Sequence, residues 1–147
     1  MLELEFAQLS DAGLVREHNE DCAGHYAPKE PDAARTHGWL FVLADGVGGQ
    51  DRGEVASSMA VETMLEGFRA ASGSEGHSVL LPRLIQAANA KIFETGLATN
   101  PAGSNMATTV VACALRFDRA IVSHVGDSRC YLVRQNFAAP LTRDHTV

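Results

Sequence analysis

The sequence predicts an α+β fold in which helices are layered against a mainly antiparallel sheet. Three observations carry that expectation. Short alternating or β-branched runs occupy both ends of the chain, two stretches of helical periodicity lie together in its middle, and strands do not alternate with helices as a doubly wound α/β fold requires. At 147 residues the chain has the length of one domain, or of one piece of a larger one, and can bury a real core.

Leu2, Leu4 and Phe6 alternate with Glu3, Glu5 and Ala7, which reads as a half-buried strand. The turn-rich "SDAGLVREHNED" leads to a short strand around Cys22 to Tyr26. "APKEPDAARTHG" carries two prolines without periodicity and reads as a surface loop. Trp39 to Ala44 is a continuous apolar run, short enough for a strand buried on both faces. In "EVASSMAVETMLEGFRAA" a stripe through Val55/Ala56, Met59/Ala60, Thr63/Met64 and Phe68 recurs at helical spacing, and Glu54 suits the positive end of the helix dipole. "SGSEGH" interrupts that pattern. Leu81, Leu84/Ile85, Ala88 and Ile92 then mark a second helix, whose first turn should hold Pro82. "NPAGSN" is a loop. From Met106 onward "MATTVVACALRF", "AIVSHVG" and "SRCYLVR" predict an antiparallel meander, with turns at Asp118-Arg119, Gly126-Asp127 and Gln135-Asn136.

Composition narrows the function. The net charge is −6, from 18 acids against 12 bases, and no basic cluster stands out, which argues against nucleic acid and anionic membrane as partners. No apolar run approaches the length of a membrane span, and "MLELEFAQLS" is unlike a signal peptide. Cys22, Cys113 and Cys130 lie in apolar, strand-like stretches without a CxxC pair or a zinc spacing, as packed, reduced thiols of the cytoplasm do.

The chemistry concentrates where strands end. In "WLFVLADGVGGQDRGE" an apolar run delivers a carboxylate, Asp45, into a glycine-rich turn. A carboxylate at the end of a buried strand loses hydration, a cost of several kcal/mol unless something positive compensates it. "REHNED" contributes Arg16, Glu20 and Asp21, and "SHVGDSRCYL" contributes Asp127. Each has a plain alternative: a solvated charge cluster for the first, an Asp-Gly turn for Asp45, a hairpin tip for Asp127. The glycines do not form a phosphate-binding P-loop or a dinucleotide fingerprint, and no serine sits in a nucleophile elbow. If the three sites converge, unpaired carboxylates about 4 Å apart repel by roughly 4 kcal/mol per pair at an effective dielectric of about 20. Divalent cations relieve that repulsion, and all-oxygen ligands suit Mg²⁺ or Mn²⁺. Gly46 fits such a site, because a residue without Cβ lets its carbonyl approach an ion closely.

In order along the chain, "SDAGLVREHNED" (Ser10 to Asp21), "FVLADGVGG" (Phe41 to Gly49), "ATTVVA" (Ala107 to Ala112), "VGDSRCYL" (Val125 to Leu132) and "LTRDH" (Leu141 to His145) resemble the motifs of the metal-dependent type 2C (PPM) protein serine/threonine phosphatases, in their bacterial style. The resemblance implies a β-sandwich flanked by helices, with a binuclear Mg²⁺/Mn²⁺ site at one end and a third ion in some bacterial members. Asp45 matches the carboxylate that bridges two metals, and Gly46 the carbonyl ligand. Glu20 and Asp21 match the acids that hold the second metal directly or through water. Arg16 matches the phosphate-binding arginine, and Asp127 a position linked to the third metal. The implied reaction is hydrolysis of phosphoserine and phosphothreonine in proteins by a metal-activated water, without a phosphoenzyme. The implied partners are such phosphoproteins, among them a cognate Ser/Thr kinase or its substrates.

Three departures qualify the match. Val47 stands where some members carry a histidine proposed as general acid, so water would protonate the leaving group. Ala107 replaces a glycine often found before the double threonine. The family's catalytic domain is also longer, and its later part carries two further metal-binding aspartates that have no counterpart after "LTRDHTV". Residues 1–147 are therefore expected to be the N-terminal portion of such a domain, an incomplete sandwich that is weakly active or inactive by itself. An open sheet edge would invite self-association. The alternative is a catalytically inactive phosphatase-like module that binds phosphoproteins or a kinase.

Overall fold

The computed structural model describes residues 4–47, 52–102 and 105–145. In chain order the elements are β1 (Asp21–Tyr26), α1 (Pro31–Thr36), β2 (Trp39–Val47), α2 (Gly53–Ala70) and α3 (His77–Thr99). They are followed by β3 (Ala107–Thr108), β4 (Val110–Arg116), β5 (Arg119–Val125), β6 (Tyr131–Arg134) and β7 (Phe137–Pro140). This is the α+β arrangement expected. A five-stranded sheet has the order β1-β2-β4-β5, with β3 continuing the pairing along β2, and all of its pairs are antiparallel.

Helices cover one face of this sheet. Leu40, Val42 and Ala44 of β2 point inward beside Ala112 and Ala114 of β4, and all five are at most 3% exposed. Helix α2 lies across β1 and β2, while α3 packs beside α2 and reaches the β4–β5 end. The stripe read from α2 is the one that packs: Ala56, Ala60, Met64 and Phe68 are fully buried. Each buried side chain of Met or Phe size contributes about 1.5–3 kcal/mol. Small residues on the strands and on one side of α2 let helix and sheet approach closely. Gly24 of β1, for example, lies directly under Val61 and Leu65.

Several expectations change. Strand β2 is not buried on both faces: Trp39 and Phe41 are half-buried and Leu43 is 43% exposed, because among the described residues the helices cover only one side. Leu4 to Ala7 form no strand. Phe6 instead lays its ring on the outer face of the sheet, 4.4 Å from His25 and 5.2 Å from Phe41 between centroids; Leu2 lies outside the described residues. The proline-containing loop holds the short helix α1, since Pro31 opens it where no N–H is needed and Asp32 suits its first turn. Pro82 sits in the second turn of α3, which begins at His77. The extra turn is held by burial of His77, Leu80 and Leu81, with the His77 ring 5.4 Å from Phe68. That burial outweighs a proline penalty of about 3 kcal/mol.

The predicted meander also stops early. The β4–β5 turn falls at Phe117-Asp118, between the paired Arg116 and Arg119, one residue before the expected position. Strand β6 leaves the sheet and pairs with β7 in a separate ribbon. Gln135 and Asn136, at φ 50° and 64°, give that ribbon the left-handed pair of a type I′ turn. Asp127 is thus not a hairpin tip. It lies in the link between the sheet and the ribbon.

Candidate functional site

Strand register assembles the site. In the β1–β2 pair Asp21 lies directly across from Asp45. Directly opposed residues put their side chains on the same face with Cβ atoms about 4.5–5.5 Å apart. The register of β2 with β3 and β4 runs on without a slip, which puts Thr109 across from Asp45 on the other side. Beyond Thr109 the β4–β5 register leads to Gly126, the residue before Asp127. One row across the end of the sheet therefore carries two carboxylates, a threonine hydroxyl and the entry to a third carboxylate.

At Asp45 the ladder changes its chemistry. Thr109 N–H donates to the Asp45 carbonyl at 2.8 Å, the ordinary antiparallel bond. The return bond is unusual: Asp45 N–H donates to the Thr109 hydroxyl at 3.1 Å instead of a backbone carbonyl. The Thr108 hydroxyl adds a second donor to the Asp45 carbonyl at 2.9 Å. Thr109 is 6% exposed, and its hydroxyl also meets that of Ser128 at 2.6 Å.

The loop before β1 is braced for presentation. Asn19 accepts a bond from Asp21 N–H at 3.0 Å and donates to the Ser10 hydroxyl at 2.7 Å, an Asx turn that sets Glu20 and Asp21 at the strand start. The Glu20 carbonyl accepts from Gly46 N–H at 3.1 Å and from the buried Ser57 hydroxyl at 2.6 Å. The start of α2 presses against this point. A Cβ on Gly46 would collide with the Gly53 carbonyl, and one on Gly53 would lie 3.1 Å from a Glu20 carboxylate oxygen. At Gly46 the obstacle is fixed backbone, whereas at Gly53 the Glu20 side chain would have to give way. Arg52, which opens α2, holds a left-handed φ of 85°, a strained conformation for a non-glycine residue of the kind found at functional clefts.

The resulting cleft is lined by Arg16, Glu20, Asp21, Asp45, Gly46 and Asp127, together with Val47, Arg52, Glu54 and Thr109. Arg16 reaches across to Glu20 at 3.5 Å, and its own side chain is 73% exposed. The Asp45 carboxyl is pushed above its ordinary range, first by burial, then by the charge and hydrogen bond of Asp21 and the charge of Asp127; Arg16 opposes the shift. Among the described residues no three His, Cys, Asp or Glu side chains close on a single point. Gly53, Ser57, Asn19 and Ser128 were not singled out as functional residues from the sequence. For Gly53, Ser57 and Ser128 the signal is the small and hydroxyl residues of "RGEVASS" and "GDSR", whose partners Glu20 and Thr109 lie elsewhere in the chain, and for Asn19 it is its place two residues before Asp21 in "REHNED".

Comparison with known proteins places this cleft in context. The family model described as protein phosphatase 2C matches residues 29–146. The chain is 32% identical over 144 residues to serine/threonine phosphatase stp of Listeria welshimeri, covering 94% of this chain and 53% of that protein. It is 35% identical over 148 residues to serine/threonine protein phosphatase PstP of Mycobacterium tuberculosis, covering 99% of this chain and 26% of that one. The fold superposes on the crystal structure of the catalytic domain of PstP in complex with 2 manganese ions, with a TM-score of 0.71 and 32% identity over 90% of this chain and 52% of that domain. The chain thus spans about half the length of the Listeria relative.

Proposed function

The chain belongs to the protein phosphatase 2C family, and from that premise we propose that it is the N-terminal portion of a metal-dependent phosphatase domain acting on phosphoserine and phosphothreonine in proteins. The observation that carries the reading is the cross-strand pair Asp21–Asp45 at the mouth of a cleft that also holds Arg16 and Asp127. Two carboxylates held side by side, with the proton affinity of Asp45 raised first by burial and then by that closeness, form a site that favours a hard divalent cation.

The donors fit Mg²⁺ or Mn²⁺. Asp45 would bridge two ions, Gly46 would offer its carbonyl, Asp21 and Glu20 would hold the second ion directly or through water, and Asp127 would serve a third. Bound there, the ions would supply a Lewis acid at the phosphoryl oxygens and an acidified water. The protein's own part is positioning. The Arg16 guanidinium, 73% exposed on the cleft rim beside Glu20, would grip two phosphate oxygens with its planar fork. Val47, on the same rim, has no proton to give, so the leaving alkoxide would take one from solvent.

The substrates would be phosphoproteins, plausible among them a Ser/Thr kinase or its targets, and the compartment the cytoplasm, consistent with three free cysteines. No helix among the described residues is long and apolar enough to cross a membrane. Among the described residues no strand pairs with the outer edges of β1 and β5, although Gln8 donates to the Ala23 carbonyl on the first, and this supports self-association through an edge.

The test is a phosphopeptide assay with Mn²⁺ on these residues and on a chain extended to the length of the relatives. The extended chain should hydrolyse phosphoserine and phosphothreonine peptides, and the 147 residues should bind Mn²⁺ with far lower turnover. Mn²⁺-independent behaviour of both chains would refute the reading. Sedimentation of the short chain reads the edge proposal, which a monomer at all concentrations would refute.

A further inference from the structure

We propose that the hydroxyl pair Thr109–Ser128 is a positioning device that couples the carboxylate of Asp45 to the segment carrying Asp127. The proposal deepens the metal-site reading above and rests on it for its consequence, though not for the coupling itself. Its basis is the break in the β2–β4 ladder. In a hydrogen-bonded antiparallel pair the residue opposite Asp45 would ordinarily accept the return bond at its backbone carbonyl. Here the side chain takes that bond, at 3.1 Å, and the Thr109 carbonyl lies 2.9 Å from the Thr108 hydroxyl, whose one proton it shares with the Asp45 carbonyl.

The substitution has a geometric result. A backbone carbonyl accepts hydrogen bonds but cannot donate one. A hydroxyl can accept from Asp45 N–H and also bond to a third group, and Thr109 uses this second capacity on Ser128 at 2.6 Å. Ser128 follows Asp127 directly, so a chain of two hydroxyls runs from the peptide of one carboxylate to the peptide next to another. The contact is reinforced by packing. Gly126, at φ 101°, lets the backbone pass over Thr109 so closely that a Cβ there would lie 2.7 Å from the threonine methyl. His145 closes the far side of the turn, donating its N–H to the Gly126 carbonyl at 3.0 Å.

Among the described residues no other hydrogen bond ties the Asp127–Ser128 link to the Asp45 strand. With Thr109 buried, a movement of one carboxylate segment is therefore transmitted to the other. Groups that orient metal ligands in this way typically change affinity by about 10- to 100-fold when removed.

The experiment has two independent arms. The first uses metal-free protein: amide hydrogen exchange and the amide NMR shift of Asp45 are recorded for the parent chain, Thr109→Val, Thr109→Ser and Ser128→Ala. Ser128→Ala should move the Asp45 amide although it touches neither β1 nor β2, and Thr109→Ser should leave both readings near the parent values. An Asp45 amide unchanged in Ser128→Ala overturns the proposal. The second arm measures Mn²⁺ binding by calorimetry at a temperature where every variant is folded. Thr109→Val and Ser128→Ala should each weaken binding by about 10-fold, and the double variant should be no weaker than the worse single one, the mark of a shared path. Losses that multiply overturn it. If the parent binds no Mn²⁺, the metal-site reading fails while the first arm still decides the coupling.

Discussion

Asp45→Asn should make the metal-free protein more stable and the metal-loaded protein less so. Asparagine keeps the size of the side chain and leaves the backbone bonds to Thr109 intact, so the change is essentially one of charge. Asp21 stands directly across, and two unit charges about 5 Å apart repel by roughly 0.8 kcal/mol in water and about 3 kcal/mol at an effective dielectric near 20. Asp45 lies in an open cleft, so solvent screening favours the lower figure, about 1 kcal/mol. That corresponds to a rise in melting temperature of roughly 3 °C for a chain of this size. Manganese at a hundred times its dissociation constant would stabilise the parent by about 2.7 kcal/mol, and the variant should lose most of that gain. The assay is a pair of thermal melts followed by circular dichroism, one with chelator and one with Mn²⁺. The two proteins should exchange rank between them. A lower midpoint for the variant in chelator, or an equal Mn²⁺ shift for both, would refute the argument. The pH dependence gives a second check. Since folding raises the Asp45 pKa, its penalty is complete above the folded value and fades as pH falls through that value toward the ordinary 3.8, so in chelator the advantage of the variant should fade with it.

Other outcomes follow from single contacts. Arg16→Ala in the extended, active chain should raise KM for phosphopeptides, the loss of a charge-assisted contact worth about 1.5–3 kcal/mol; unchanged kinetics would remove Arg16 from the substrate site. Gly46→Ala should destabilise the fold by about 1–3 kcal/mol, because its methyl meets the Gly53 carbonyl where α2 presses on β2, and a denaturant midpoint equal to the parent's would show that α2 can shift freely. His77 is held below its ordinary 6.5, first by burial and then by the charge of Arg116, so the unfolded chain takes up its proton first. Stability should therefore fall as pH drops below about 6.5, and His77→Gln should flatten that part of the profile in a urea titration.

What the sequence determined by itself was local or additive. The α2 stripe of Ala56, Ala60, Met64 and Phe68 was readable because helical spacing is a property of neighbours in the chain, and the same atoms pack in the core. The carboxylates Asp21, Asp45 and Asp127 were readable because each lies where a strand meets a turn, and together with Arg16 and Glu20 they line one cleft. The family motifs carried the same information in another form. Local pattern misled where a distant surface competed with it. Phe6 gave up a strand to cover Phe41, burial of the first turn against Phe68 drew Pro82 into the second turn of α3, and β6 left the meander to pair with β7. Only the tertiary structure decided the register that sets Asp21 opposite Asp45, the steric fit of Gly46 against Gly53, and the hydroxyl bridge from Asp45 through Thr109 to Ser128. The reason is physical: each joins residues separated in the chain, and a bond between distant residues leaves no periodic mark on the sequence of either partner.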